Sequence, residues 1–319
     1  MAAYRKWLWR IGQAVLLVLV AWGIYRALAP ELAKVSRADI LAYRPSWPLL
    51  ALSTVLLLMV YVLHALLWRE ITIALGKTRI RLREAMRVYF VSSLGRYLPG
   101  KLWQIAGMAV LAQRAGISAV AATAAALLGQ LAFLSMGMVF LAALLPSLYG
   151  RWAGWSAFLL FAIALVLFVL SDTRRGAAWR HRLLSRLGPR IAEAGALLDQ
   201  LTARRAAWWW LAYGFSWVML GAAFACFVIS FVPARADQYR HFAGTVAASY
   251  LVGLLLFTPA GIGTREGVML LLLTPVISAP AAVLVSVASR IWFTVGELLP
   301  VAFIPWLKGN APVVKEGAA

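Results

Sequence analysis

The chain has 319 residues, of which 63% are hydrophobic and 13% charged, against roughly 25% charged residues in an ordinary soluble domain. No compact water-soluble fold buries that much apolar surface, so a soluble enzyme is excluded and a single membrane domain over 1–319 is the natural reading. The formal charge of +20 would suit a nucleic-acid binder, but the cations cluster between apolar runs, which points to membrane topology and excludes nucleic acid.

Apolar runs cover about 7–29, 48–68, 88–113, 118–145, 152–171, 208–232, 242–273 and 279–307. About 20 such residues in a helix cross a hydrocarbon layer of roughly 30 Å. The first run, preceded by Arg5, Lys6 and Arg10 and followed by Ala27-Leu28-Ala29, mimics a secretory signal. Its length, with Trp22 and Tyr25, favours an uncleaved span. Six runs are uninterrupted and are read as full spans. The other two are broken, one by Tyr97-Leu98-Pro99-Gly100-Lys101 and the other by Thr258-Pro259-Ala260-Gly261-Ile262-Gly263-Thr264-Arg265-Glu266. Proline removes a helix hydrogen bond and glycine loosens the backbone. Two short half-helices are therefore expected around each unwound turn, at Pro99 and Gly100 and at Pro259, Gly261 and Gly263. The stretch 172–207, where Trp179, Leu183, Leu184 and Leu187 alternate with arginines, reads as a basic amphipathic segment on the cytoplasmic leaflet. Cys226 is alone, so no disulfide framework or cysteine metal site is expected.

An offset of 160 residues superimposes the two halves. Pro99 then meets Pro259, Gly107 meets Gly267, and Ile117-Ser118-Ala119 meets Ile277-Ser278-Ala279. Repeat one covers about 1–150 and repeat two about 151–319. With each broken run taken as a re-entrant hairpin, the first half makes three crossings, an odd number, so the second half is inverted. Of the 31 Lys and Arg residues, twenty fall in the segments this topology places in the cytoplasm and six outside; Arg26, Arg96, Lys101, Arg265 and Arg290 lie in or beside membrane segments. That asymmetry puts both termini in the cytoplasm, and the expected location is the bacterial cytoplasmic (inner) membrane. The expected fold is an all-α integral membrane protein, an inverted-topology repeat with six full spans and two re-entrant hairpins. Secondary transporters built this way bring their broken helices together at a substrate site near the midplane.

Arg96, Lys101, Arg265, Glu266, Arg290 and Glu297 lie in otherwise apolar runs, where a lipid-facing charge costs roughly 2.5–3.5 kcal/mol. They are expected to face one another or water, with Arg96, Lys101 and Arg265 as phosphate ligands and Glu266 and Glu297 balancing charge. Half-helices that start after each break aim backbone N–H groups at it, which also favours an anion. Thr264 fits an N-cap, and Glu266 fits either dipole compensation or a functional role. Arg290 and Glu297 share a helix face, and Gln130 holds the position of Arg290 in the first half. Cavity walls and plain interhelical pairing both fit that face. Trp103 and Gln104 open the half-helix after the first break and complete the candidate substrate-binding set.

Gly95 to Lys101 has the spacing of a phosphate loop, but Leu102 stands where a Ser or Thr would bind magnesium and no strand precedes it. Gly261-Ile262-Gly263 with Gly267 misses the dinucleotide spacing. His64, His181 and His241 are scattered, so no metal site, no cofactor and no catalytic residue is expected.

The segments Arg96-Tyr97-Leu98-Pro99-Gly100-Lys101-Leu102-Trp103-Gln104 and Pro259 to Glu266 resemble the paired signatures of the lysylphosphatidylglycerol synthase transmembrane-region family. The likeness extends over nearly the whole chain, with Ala260 where a glycine is common. It implies a stand-alone lipid translocator, a flippase or scramblase, rather than an enzyme. The cargo would be an anionic phospholipid or a polyprenyl-phosphate-linked glycolipid, with membrane lipids and envelope-biosynthesis enzymes as partners. Two other readings stay open: a membrane-embedded headgroup transferase using Glu266 and His64, and a scaffold that recruits envelope glycolipid or polysaccharide enzymes through 172–207.

Overall fold

A computed structural model of the chain describes residue 36 and residues 43–97, 103–144, 201–233, 235–255 and 263–304. The runs expected at 7–29 and 152–171, and 172–200 of the amphipathic segment, lie outside the described residues. So do Pro99, Gly100, Lys101, Pro259 and Gly261.

Among the described residues the regular structure is wholly helical. A first quartet comprises α1 (Trp47–Gly76), α2 (Leu82–Ser93), α3 (Trp103–Arg114) and α4 (Ala119–Leu144). A second comprises α5 (Ala203–Phe231), α6 (Tyr239–Leu255), α7 (Thr264–Leu273) and α8 (Ala279–Phe303). Helices α1, α4, α5 and α8 are long and apolar enough to cross a membrane.

Helix α1 opens with Pro48 in its first turn, where a missing N–H costs nothing, and closes at Lys77 in the left-handed conformation. It outruns its apolar stretch by two turns. There Arg69 pairs with Glu70 at 2.8 Å and donates from Nε to the Ile80 carbonyl at 2.8 Å, folding the 77–81 link back onto the helix. Helix α5 likewise starts before its apolar stretch. Thr202 caps it by accepting from the Arg205 amide, so 203–207, expected in the surface segment, belongs to the helix instead. Alanines at 206 and 207 extend a helix readily.

Both broken runs are broken in the structure. The expected 88–113 stretch is α2, a 3₁₀ turn over Leu94–Tyr97, and α3; the 242–273 stretch is α6 and α7. Twelve residues of α2 or α3 span about 18 Å, short of a hydrocarbon layer of roughly 30 Å. Helix α2 packs on α3 and α6 packs on α7. At the first break the reversal is tight: a Cβ on Gly95 would lie 2.7 Å from the Gln104 amide nitrogen and 2.8 Å from the Trp103 carbonyl carbon.

The quartets pack by exchange. Helices α1 and α5 form the most extensive contact, α4 crosses over to α5 and α6, and α8 crosses over to α1 and α2. Leu57 and Trp217 occupy the same place under the 160-residue offset. Leu57 rests against Gly296 of α8, and Trp217 rests against Gly137 of α4. The Trp217 ring stacks on Phe133 at 4.4 Å and its Nε1 donates to the Phe133 carbonyl at 2.7 Å. His64 of α1 meets the Ser216 hydroxyl of α5 at 2.9 Å, so this histidine is an interhelical hydrogen-bonding residue. With no hydrophobic gain between helices in lipid, close approach over small residues and such bonds supply the adhesion.

A Cβ on Gly137 would come within 2.5 Å of the Trp217 ring. Gly137→Leu is expected to destabilise the protein by about 1–3 kcal/mol through overpacking. Met138→Leu, on a side chain 40% exposed, should be near neutral. Unfolding by denaturing detergent in mixed micelles checks both.

Candidate functional site

The ends of α2 and α8 meet through a charge pair. At the C-terminus of α2 the Ser92 and Ser93 hydroxyls donate back to the Val88 and Phe90 carbonyls, and the backbone tightens into the 3₁₀ turn that carries Arg96. Side-chain donors that bond preceding carbonyls favour such a departure from regular helix. Arg96 donates from Nε to the Ser93 carbonyl at 3.1 Å and from Nη1 to Glu297 Oε1 of α8 at 2.6 Å. The two side chains are 28% and 10% exposed.

Two turns earlier on α8, Arg290 Nε lies 3.8 Å from Oε1 of Glu266, in the first turn of α7. The α8 face therefore does what its spacing suggested, and it does so by interhelical pairing: Glu297 engages the first break and Arg290 the second. Helix α8 is a strut between them. Glu266 combines a first-turn position, which offsets the helix dipole, with this loose pair. Its Oε2 is buried without a hydrogen bond.

Arg265 is held differently. Its Cζ lies 4.3 Å from the Phe293 ring centroid and 5.5 Å from that of Tyr250. Its Nε is buried without a hydrogen-bond partner, and none of the ion pairs among the described residues includes it. Cation–π contacts stabilise a guanidinium without consuming its N–H donors. Space for the side chain comes from Gly253 on α6, where a Cβ would meet Arg265 Cγ at 2.7 Å. Tyr61 of α1 lies in the electrostatic reach of Arg96, Arg265 and Glu297 and packs against Gly296.

The candidate residues thus divide. Arg96, Arg265, Glu266, Arg290 and Glu297 come together from the 3₁₀ turn after α2, from α7 and from α8. Trp103, 54% exposed, and Gln104 open α3 and back onto Gly95, one residue before Arg96. Gln130, on α4, has a buried Nε2 without a hydrogen bond. Lys101 lies outside the described residues. Thr264 is not the N-cap: Gly263 caps α7 at φ 80°, a left-handed angle that glycine adopts without strain, and Thr264 is the buried first helical residue. Sequence reasoning passed over Tyr61, Tyr250 and Phe293. Phe293 was legible, since it stands three residues after Arg290 and four before Glu297 on one helical face. Nothing in the sequence marks the two tyrosines.

Among the described residues, four helices long and apolar enough to cross a membrane, paired half-helices and a partly buried cluster of arginines and glutamates define a multi-pass α-helical membrane protein. Residues 8–296 match the family described as the lysylphosphatidylglycerol synthase TM region, and the chain belongs to that family. No curated protein matches it.

Removing one partner of a largely buried pair strands the other. Glu297→Ala is expected to lower stability by about 3–5 kcal/mol, and the paired replacement Arg96→Met with Glu297→Leu by clearly less. A double-mutant cycle in detergent unfolding checks this; additive losses would show the pair to be uncoupled.

Proposed function

We propose that this protein is a lipid translocase, a flippase or scramblase of the bacterial cytoplasmic membrane, which moves an amphiphile with a phosphate-bearing anionic headgroup. Arg265 carries the reading. It is a cation among membrane helices, cradled by aromatic rings, with a buried Nε that no group among the described residues satisfies. A charge in hydrocarbon costs roughly 2.5–3.5 kcal/mol at a helix centre, and an anion that accepts its N–H groups offsets that cost. Arg96 and Arg290 already have glutamate partners, so they serve as a second rank that a headgroup engages by sharing.

In this reading the two quartets form an inverted repeat. The α2/α3 and α6/α7 hairpins enter from opposite faces, both termini are cytoplasmic, and further spans precede α1 and α5. The exchanged packing of α4 and α8 and the distribution of Lys and Arg support it. Membership of a family of membrane regions tied to lipid flipping supports it as well. The headgroup crosses between the hairpins while acyl or prenyl chains stay in the bilayer. No covalent step is required of the residues gathered here, so the protein acts as a transporter and not as an enzyme. A phospholipid and a polyprenyl-phosphate-linked glycolipid both satisfy this chemistry.

The test is leaflet exchange of fluorescent anionic lipids in liposomes holding the purified protein. A hydrogen bond to a charged group is worth about 1.5–3 kcal/mol, so Arg265→Ala is expected to slow exchange at least about tenfold. Unchanged exchange in Arg265→Ala overturns the site, and absence of exchange of any anionic lipid by the wild-type protein overturns the function.

A further inference from the structure

We infer that Tyr61, Tyr89 and Tyr250 form a subsite of hydroxyl groups beside Arg265 that selects a polyol headgroup, one whose phosphate ester carries hydroxyls of its own. The inference rests on the translocase reading above and narrows its substrate class. Three helices supply the side chains: Tyr61 lies on α1, Tyr89 on α2 and Tyr250 on α6. Packing sets their places. The Tyr61 ring rests against Gly296 of α8, where a Cβ would stand 3.3 Å from its Cε2, next to Glu297, the partner of Arg96. The Tyr250 ring centroid is 5.5 Å from Arg265 Cζ. Tyr89 precedes Arg96 by seven residues and leans on Trp68, with ring centroids 6.3 Å apart. Tyr61 is in electrostatic reach of Arg96, Arg265 and Tyr250, and Tyr89 of Arg96 and Tyr250, so the three hydroxyls belong to one cluster.

Among the described residues all three tyrosines are half-buried, and none of their hydroxyls makes a hydrogen bond. A tyrosine hydroxyl enclosed by protein ordinarily finds a partner, and leaving one without is costly. A phosphate held by the Arg265 N–H groups places its ester substituent among these hydroxyls. A substituent with hydroxyls of its own both donates to the phenols and accepts from them, because each phenol does both. A bare alkyl ester or a quaternary ammonium does neither and leaves them unmet. Cation–π contact offers the ammonium no substitute at Tyr250 and Phe293, since the Arg265 guanidinium already lies over both rings.

The experiment compares two fluorescent tracers of equal charge in phosphatidylcholine vesicles that hold the purified protein: phosphatidylglycerol, whose headgroup carries hydroxyls, and phosphatidylethanol, whose headgroup carries none. Both are monoanionic phosphodiesters, so the comparison isolates the hydroxyls. Two neutral hydrogen bonds together are worth on the order of tenfold, and wild-type protein is expected to exchange phosphatidylglycerol faster by about that factor. Replacing all three tyrosines by Phe keeps the rings and is expected to bring the ratio close to one by slowing phosphatidylglycerol alone. Because the readout is a ratio within one preparation, partial loss of folded protein leaves it intact. The triple variant loses no hydrogen bond to a described residue, so its unfolding in mixed micelles is expected to match that of wild type. A clear loss of stability there assigns the hydroxyls to the fold and overturns the inference. A wild-type ratio near one, or a ratio that survives the triple replacement, overturns it as well while the translocase reading stands. Exchange of neither tracer by wild type overturns the translocase reading and this inference with it.

Discussion

An ionised side chain among membrane helices has no water to turn to, and that single constraint organises this protein. Each of the buried charges has to be answered by another group of the protein or by a ligand. Helix α8 supplies most of the answer, holding Arg96 at one break through Glu297 and Glu266 at the other through Arg290. Arg265 is answered by rings and keeps its donors. Among the described residues, the cluster's glutamates pair with Arg96 and Arg290, and Arg265 is held by aromatic rings.

Helix packing makes that arrangement reachable. Half-helices of ten to seventeen residues hold their position by leaning on long neighbours, and α4 and α8 each contact a half-helix of the other quartet. Glycines and alanines set how closely the helices approach. Gly95 admits the start of α3, and Gly253 admits the Arg265 side chain. A larger residue at either place would move a functional group without touching its chemistry.

The two quartets are alike in their order of helices and unlike in charge. Gln130 stands where the second repeat has Arg290, and Gly137 where it has Glu297. The first quartet contributes a single arginine, Arg96, to the described cluster, and the second contributes the rest. The Arg96–Glu297 pair ties the two quartets together.

Composition and periodicity settle a good deal without coordinates. The apolar runs, the two breaks and the 160-residue offset follow from residue types, because burying backbone polar groups in hydrocarbon leaves helices as the economical solution and proline and glycine as their interruptions. The cost of charges in apolar runs likewise singles out Arg96, Lys101, Arg265, Glu266, Arg290 and Glu297 before any contact is known. Pairing is another matter. Arg96 meets Glu297 across 201 positions of sequence, and Tyr61 and Tyr250 join the site only because α1 and α6 happen to pass it. Which charge is neutralised and which is left for a ligand depends on distances between helices, and those are fixed by packing, which the order of residues along one helix does not encode.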